Sequence, residues 1–120
     1  MMTQNHSDPK PAGVLLDHAR VIEKYCNGLP VLDLACGGGR NGLHLARLGM
    51  KVVFADISFD KLINLHHVVR NLLSRILLCR VDMEKDGLGV FRPGLFGAIL
   101  VLRYLPRPLI PQIKDLLAPG

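Results

Sequence analysis

The stretch VLDLACGGGRNGLHLA, Val31 to Ala46, decides how the rest of the chain is read. Val31 to Ala35 is a short apolar run, as a buried strand requires. Gly39 to Leu48 reads as a helix, with Leu43, Leu45 and Ala46 turned inward and Gly49 ending it. Between the two lie three consecutive glycines, Gly37, Gly38 and Gly39, four residues after Asp33. Gly37, Gly39 and Gly42 satisfy G-x-G-x-x-G. A glycine cluster between strand and helix lets a ligand come close to the backbone. The bare pattern also fits a turn that merely links the two elements.

Outward from this corner the chain alternates. Upstream, Gly13 to Asn27 has Leu15, Leu16, Ala19, Ile22 and Cys26 at helical spacing, and Gly28 gives a stop signal. Downstream, Lys51 to Ile57 (KVVFADI) is apolar and partly β-branched, a second strand. Ser58 is placed to cap a helix running to about Leu73. Arg75 to Val81 is a third strand and Phe96 to Leu102 a fourth, with GAILVL at its heart. A last helix spans Pro106 to Leu117, with Pro108 and Pro111 tolerable only near its first turn. Apolar strands separated by helices predict a parallel sheet covered on both faces. The fold class is therefore α/β, a Rossmann-like doubly wound sheet of about four strands. Its ligands belong beyond the carboxyl ends of the strands, where the glycine cluster lies.

The 120 residues suffice for one domain, placed at residues 13–120 after a flexible lead-in at residues 1–12. With 49% hydrophobic residues and a mean hydropathy of +0.28, the chain has material for a packed core. Residues 1–12 are polar and lack the apolar run of a secretory signal. No run of 18 or more uncharged apolar residues marks a membrane span, so a cytoplasmic protein is expected. Cys26, Cys36 and Cys79 form no CxxC and have apolar neighbours, so they read as buried thiols. Fifteen Lys and Arg against ten Asp and Glu leave a net charge of +5. The basic residues are scattered and aromatic residues are only 5%, which argues against a nucleic-acid surface. His66 and His67 are adjacent and cannot share a helix face, and His44 has no partner at ligand spacing; no metal site is expected.

Three acids fall on three successive strands. Asp56 ends the second strand, where a carboxylate can accept from two ribose hydroxyls. Nicotinamide and S-adenosylmethionine enzymes both use such an acid. Two features separate them. Asp33 lies beside the glycine loop, where a pyrophosphate gains nothing from a carboxylate but an ammonium group does. Asp82 ends the third strand in RVDME, where an acid can accept from an adenine amino group while the Met83 N–H donates to a ring nitrogen. Each acid also has a structural reading. Asp33 can tie down the loop's own N–H groups, and Asp82 can be a surface acid in a loop.

On these residues, VLDLACGGGRNGLHLARLGMKVVFADIS resembles the first motif and the following acidic strand of class I S-adenosylmethionine-dependent methyltransferases, in particular the tellurite-resistance-type, small-molecule branch. FGAILVLRYLPRPLIPQIKDLLAPG resembles their fourth strand and the helix after it. The resemblance implies a methionine-side loop of Asp33, Ala35, Cys36, Gly37, Gly38 and Gly39, with Asn41 at the helix start. It implies that Asp56 holds the ribose, Ile57 packs on the adenine, and Asp82 and Met83 meet the adenine edge. It places Arg103 where the fourth strand approaches the cofactor, and it assigns no catalytic residue. Ala35 stands where a glycine is common, Gly97 where many members have aspartate, and Pro106 near a position often held by histidine. The family's sheet has seven strands in the order 3-2-1-4-5-7-6, so this chain matches its N-terminal part. The implied function is methyl transfer from S-adenosylmethionine to an unidentified acceptor, by a chain too short to act alone, with self-association through the fourth-strand edge. A non-catalytic binding or interaction module and a NAD-binding dehydrogenase fragment are the alternatives.

Overall fold

The computed structural model describes residues 11–102 and 107–119. The residues expected as lead-in, apart from Pro11 and Ala12, lie outside these, as do Arg103 and Pro106. The elements alternate as expected. Helix α1 is Gly13–Cys26, strand β1 Val31–Leu34, α2 Arg40–Arg47, β2 Val52–Asp56, α3 Phe59–Val68, β3 Ile76–Arg80, α4 Met83–Asp86, β4 Ala98–Leu100 and α5 Ile110–Leu116. The four strands form one parallel sheet in the order β3-β2-β1-β4. Chain order reverses between β1 and β4, so the switch point of the sheet lies at the carboxyl end of β1.

Alternation along the strands separates two cores. Val31, Val52 and Phe54 face α1, α2 and α3, meeting Leu15, Ala19, Cys26, Leu43, Leu62 and Leu65. Leu32, Leu34, Val53 and Ala55 face the other side, with Val81, Leu88, Phe96 and Leu116. β1 is buried along its whole length, whereas β3, at the sheet edge, is only half-buried. Gly97, a position at which the resemblance expects aspartate, has a packing reason. A Cβ there would lie 2.8 Å from the Cα of Cys26, so the glycine lets the end of α1 touch the start of β4.

Several boundaries differ from those expected. The helix after Ser58 stops at Val68 and continues as a 3-10 turn over Arg70–Arg75, instead of reaching Leu73. Adjacent β-branched Val68 and Val69 disfavour further α-helix, and the buried Val69 pins the chain as it turns towards β3. The last helix begins with a 3-10 turn at Arg107–Leu109, and Pro111 sits in the first turn of α5, where its missing N–H costs nothing. The fourth strand is short, three residues where seven were expected. Helix α4 was not anticipated; the Asp82 carboxylate caps it by accepting the Lys85 N–H at 3.1 Å. After α5, Leu117 bridges Phe96 in parallel fashion, so the chain returns to the outer side of the segment leading into β4.

Candidate functional site

Parallel strands deliver their carboxyl ends to one rim, and two cavities open there. The first, about 260 Å³, is lined by Leu34, Ala35, Ala55, Asp56, Ile57, Val81, Asp82, Met83 and Glu84. The second, about 310 Å³, is lined by Asp33, Leu34, Ala35, Cys36, Gly38, Arg40, Asn41 and Leu102. Leu34 and Ala35 belong to both, so the cavities meet over the end of β1. The first cavity gathers Ala35, Asp56, Ile57, Asp82 and Met83 of the residues singled out in the sequence. The second gathers Asp33, Ala35, Cys36, Gly38 and Asn41. Gly37 and Gly39 line neither cavity.

These two glycines build the loop. Gly37 has φ 58°, and its N–H donates to Asp56 Oδ2 at 2.7 Å. Gly39 is the N-cap of α2 with φ 81°, and a Cβ there would lie 2.7 Å from Leu65 Cδ2. It faces α3 and lets that helix close on the loop. Gly42 lets α2 settle on the sheet. A Cβ there would meet Phe54 Cε1 at 2.5 Å and Asp33 Oδ2 at 2.8 Å.

The acids are engaged with the backbone as well as with the cavities. Asp33 lies on the same strand face as Val31, under α2, and its Oδ2 accepts the Gly42 N–H at 2.9 Å. This bond ties down the first turn of α2, just beyond the glycine loop that the structural reading of Asp33 names. Asp56 accepts Gly37 N–H on Oδ2 and Ser58 N–H, at 2.8 Å, on Oδ1. A carboxylate offers about four acceptor positions, so two remain for hydroxyl donors in the first cavity. Ser58 caps α3 by accepting the Lys61 N–H at 3.3 Å, as its place in the sequence predicts. Ala35 carries φ 54°, a left-handed conformation that crowds a Cβ against the backbone. The alanine is thus a strained stand-in for glycine rather than a neutral one.

Sequence reasoning missed Leu34, Ala55 and Val81, which supply apolar lining, and Glu84, Arg40 and Leu102 at the rims. Their signal was position alone: each lies within two residues of a strand's end or a helix's start, next to a residue already singled out. Among the described residues no group of three His, Cys, Asp or Glu could hold a metal ion. No helix of the described residues is long and apolar enough to cross a membrane.

The tellurite resistance protein TehB family model matches residues 2–116. The chain belongs to the TehB family of class I methyltransferases. A ubiquinone biosynthesis O-methyltransferase from Psychrobacter arcticus is 30% identical over 114 residues, which are 89% of this chain and 44% of that protein. The crystal structure of TehB from Haemophilus influenzae superposes with a TM-score of 0.65 at 27% identity, over 88% of this chain and 35% of that one. An S-adenosylmethionine-dependent methyltransferase from Mesorhizobium loti shares the fold, with a TM-score of 0.66 at 23% identity over 87% of this chain and 48% of that one. The chain thus spans less than half the length of these relatives.

Proposed function

We propose that the joined cavities hold S-adenosylmethionine and that the domain presents its methyl group to a small-molecule acceptor. The observation that carries this reading is the continuity of the two cavities over Leu34 and Ala35, with a partly apolar compartment on one side and a polar one on the other. The cofactor has the same division, an adenosine and a charged amino-acid tail. In the first cavity Leu34, Ala55, Val81 and the exposed Ile57 give the adenine apolar contact. The two remaining acceptor positions of Asp56 suit the ribose hydroxyls, and Asp82 with the Met83 N–H suits the adenine edge. In the second cavity Asp33 suits the ammonium group, Ala35, Cys36, Gly38 and Asn41 form the wall, and Gly37 and Gly39 set the turn of the loop that carries them. The bound sulfonium would supply an electrophilic methyl, so the chain's residues contribute positioning and exclusion of water. Membership of the TehB family supports the reaction class, and a cytoplasmic location goes with this reading.

Calorimetric titration with S-adenosylmethionine, S-adenosylhomocysteine and NAD tests the proposal. The expected result is binding of the first two in preference to NAD. Tighter binding of NAD, or no heat with any of the three, contradicts it.

A further inference from the structure

Asn41, the second residue of α2, is 8% exposed and lines the second cavity. Its Oδ1 accepts the N–H of Ala12, 29 residues away in sequence, at 2.8 Å. Ala12 is the N-cap of α1 and has no capping side chain. Because the group facing Asn41 is a backbone donor, the amide oxygen must point towards it. The amino end of the same side chain is then turned away from α1, and among the described residues it has no protein partner. A buried amide donor without an acceptor is unfavourable, and its place in the cavity wall points to a ligand that supplies one. The amino end of α2 and the Arg40 side chain at the rim bias the same place towards an anion. Asp33, in the same cavity, provides the opposite character. Donors at one end and a carboxylate at the other match the two charges of an α-amino acid group.

We propose that Asn41 works on two sides: its Oδ1 anchors the start of α1, and its Nδ2 receives the carboxylate of the ligand's amino-acid group. Filling the cavity and anchoring α1 are then coupled through one rigid amide plane. By linkage the coupling is reciprocal: whatever fixes α1 in place raises the affinity for the ligand, and the ligand in turn protects α1. This inference rests on the cofactor reading above, and its tests separate the two.

Two variants divide the roles. Asn41→Asp keeps an oxygen for the Ala12 N–H but replaces the amino group with a second acceptor. Asn41→Ala removes both. The measurements are S-adenosylhomocysteine affinity by calorimetry and amide hydrogen exchange over the first turn of α1, with and without that ligand. In the unaltered chain the ligand should slow exchange in this turn. Asn41→Asp should exchange like the unaltered chain when free, yet lose at least about tenfold in affinity. Asn41→Ala should exchange several-fold faster even without ligand. Asn41→Asp binding at full affinity, or exchange in α1 that ignores both ligand and Asn41→Ala, overturns the inference. A chain that binds no S-adenosylhomocysteine at all overturns the cofactor reading, and the ligand half of this inference with it. The anchoring half is still decided by the exchange of free Asn41→Ala.

Discussion

Asp56 serves the fold directly and, in the proposed function, a ligand as well. Its two carboxylate oxygens hold the Gly37 and Ser58 N–H groups and so fix the glycine loop against the start of α3. Asp56→Ala should therefore lower the melting temperature and also weaken S-adenosylhomocysteine binding by at least tenfold, about 1.4 kcal/mol. Calorimetry beside thermal denaturation checks both, and unchanged affinity in a folded variant would reduce Asp56 to a structural acid. Ala35 carries the opposite lesson. Its type suggests a harmless replacement for glycine, but its φ of 54° places it where a Cβ is unfavourable by roughly 1–2 kcal/mol. Glycine relieves that strain while adding freedom to the unfolded chain. Ala35→Gly should gain about 0.5–1 kcal/mol in stability by this difference, read as a higher denaturant midpoint at constant slope. A lower midpoint would contradict the strain argument. The identity of both residues was legible in the sequence. Their hydrogen bonds and dihedral angles were not, because these depend on where the loop meets other strands.

Among the elements, those with strong local signals were read closely. Helix α1, the β1 corner and β2 carry clear periodicity or apolar runs, and Ser58 marks the start of α3. The elements that were missed have local signals too short to separate from loop. Helix α4 is a single turn held by Asp82, and the 3-10 turn at Arg70–Arg75 satisfies the geometry of return to β3. Helix α1 also makes a prediction about pH. Its last residue, Cys26, is buried against Gly97, and burial pushes its thiol above the ordinary value of 9.0. The unfolded thiol ionises near that ordinary value while the folded one stays protonated. Its stabilising contribution is full below pH 9 and is lost as pH rises from there towards the folded pKa. For one thiol the loss cannot exceed about 1.4 kcal/mol per pH unit. Cys79 on β3 shifts the same way. Denaturant titrations from pH 8 to 10 should show a shallower decline for Cys26→Ala than for the unaltered chain. Parallel declines would remove Cys26 from the explanation.

At the scale of the whole molecule, the sheet has the strand order that the family resemblance implied, and parallel α/β topology points to the carboxyl rim as the candidate site. What did not follow was the treatment of the β4 edge. The return of Leu117 to Phe96 supplies hydrogen bonds on the outer side at that residue, through Phe96 N–H to Leu116 O and Ala118 N–H to Phe96 O. Gly97 N–H then turns inward to Pro30 O. Strand alternation directs the backbone groups of Ala98 and Leu100 to the outer side again. Among the described residues no strand pairs there, and no charge or proline interrupts Gly97 to Leu102. Such an edge favours pairing with another chain. Light scattering over a concentration series should show self-association, and a strict monomer at all concentrations would contradict this. The central claim, that the carboxyl rim of the sheet holds S-adenosylmethionine across two joined cavities, is tested most directly by nuclear magnetic resonance. Uniformly ¹⁵N-labelled chain titrated with S-adenosylhomocysteine should show its largest amide shifts at Ala35, Cys36, Gly38, Ile57 and Met83. Ser74 to Leu77, at the opposite end of the sheet, should stay unmoved. Saturating ligand that leaves the rim amides in place, or that moves those of Ser74 to Leu77 instead, would contradict it.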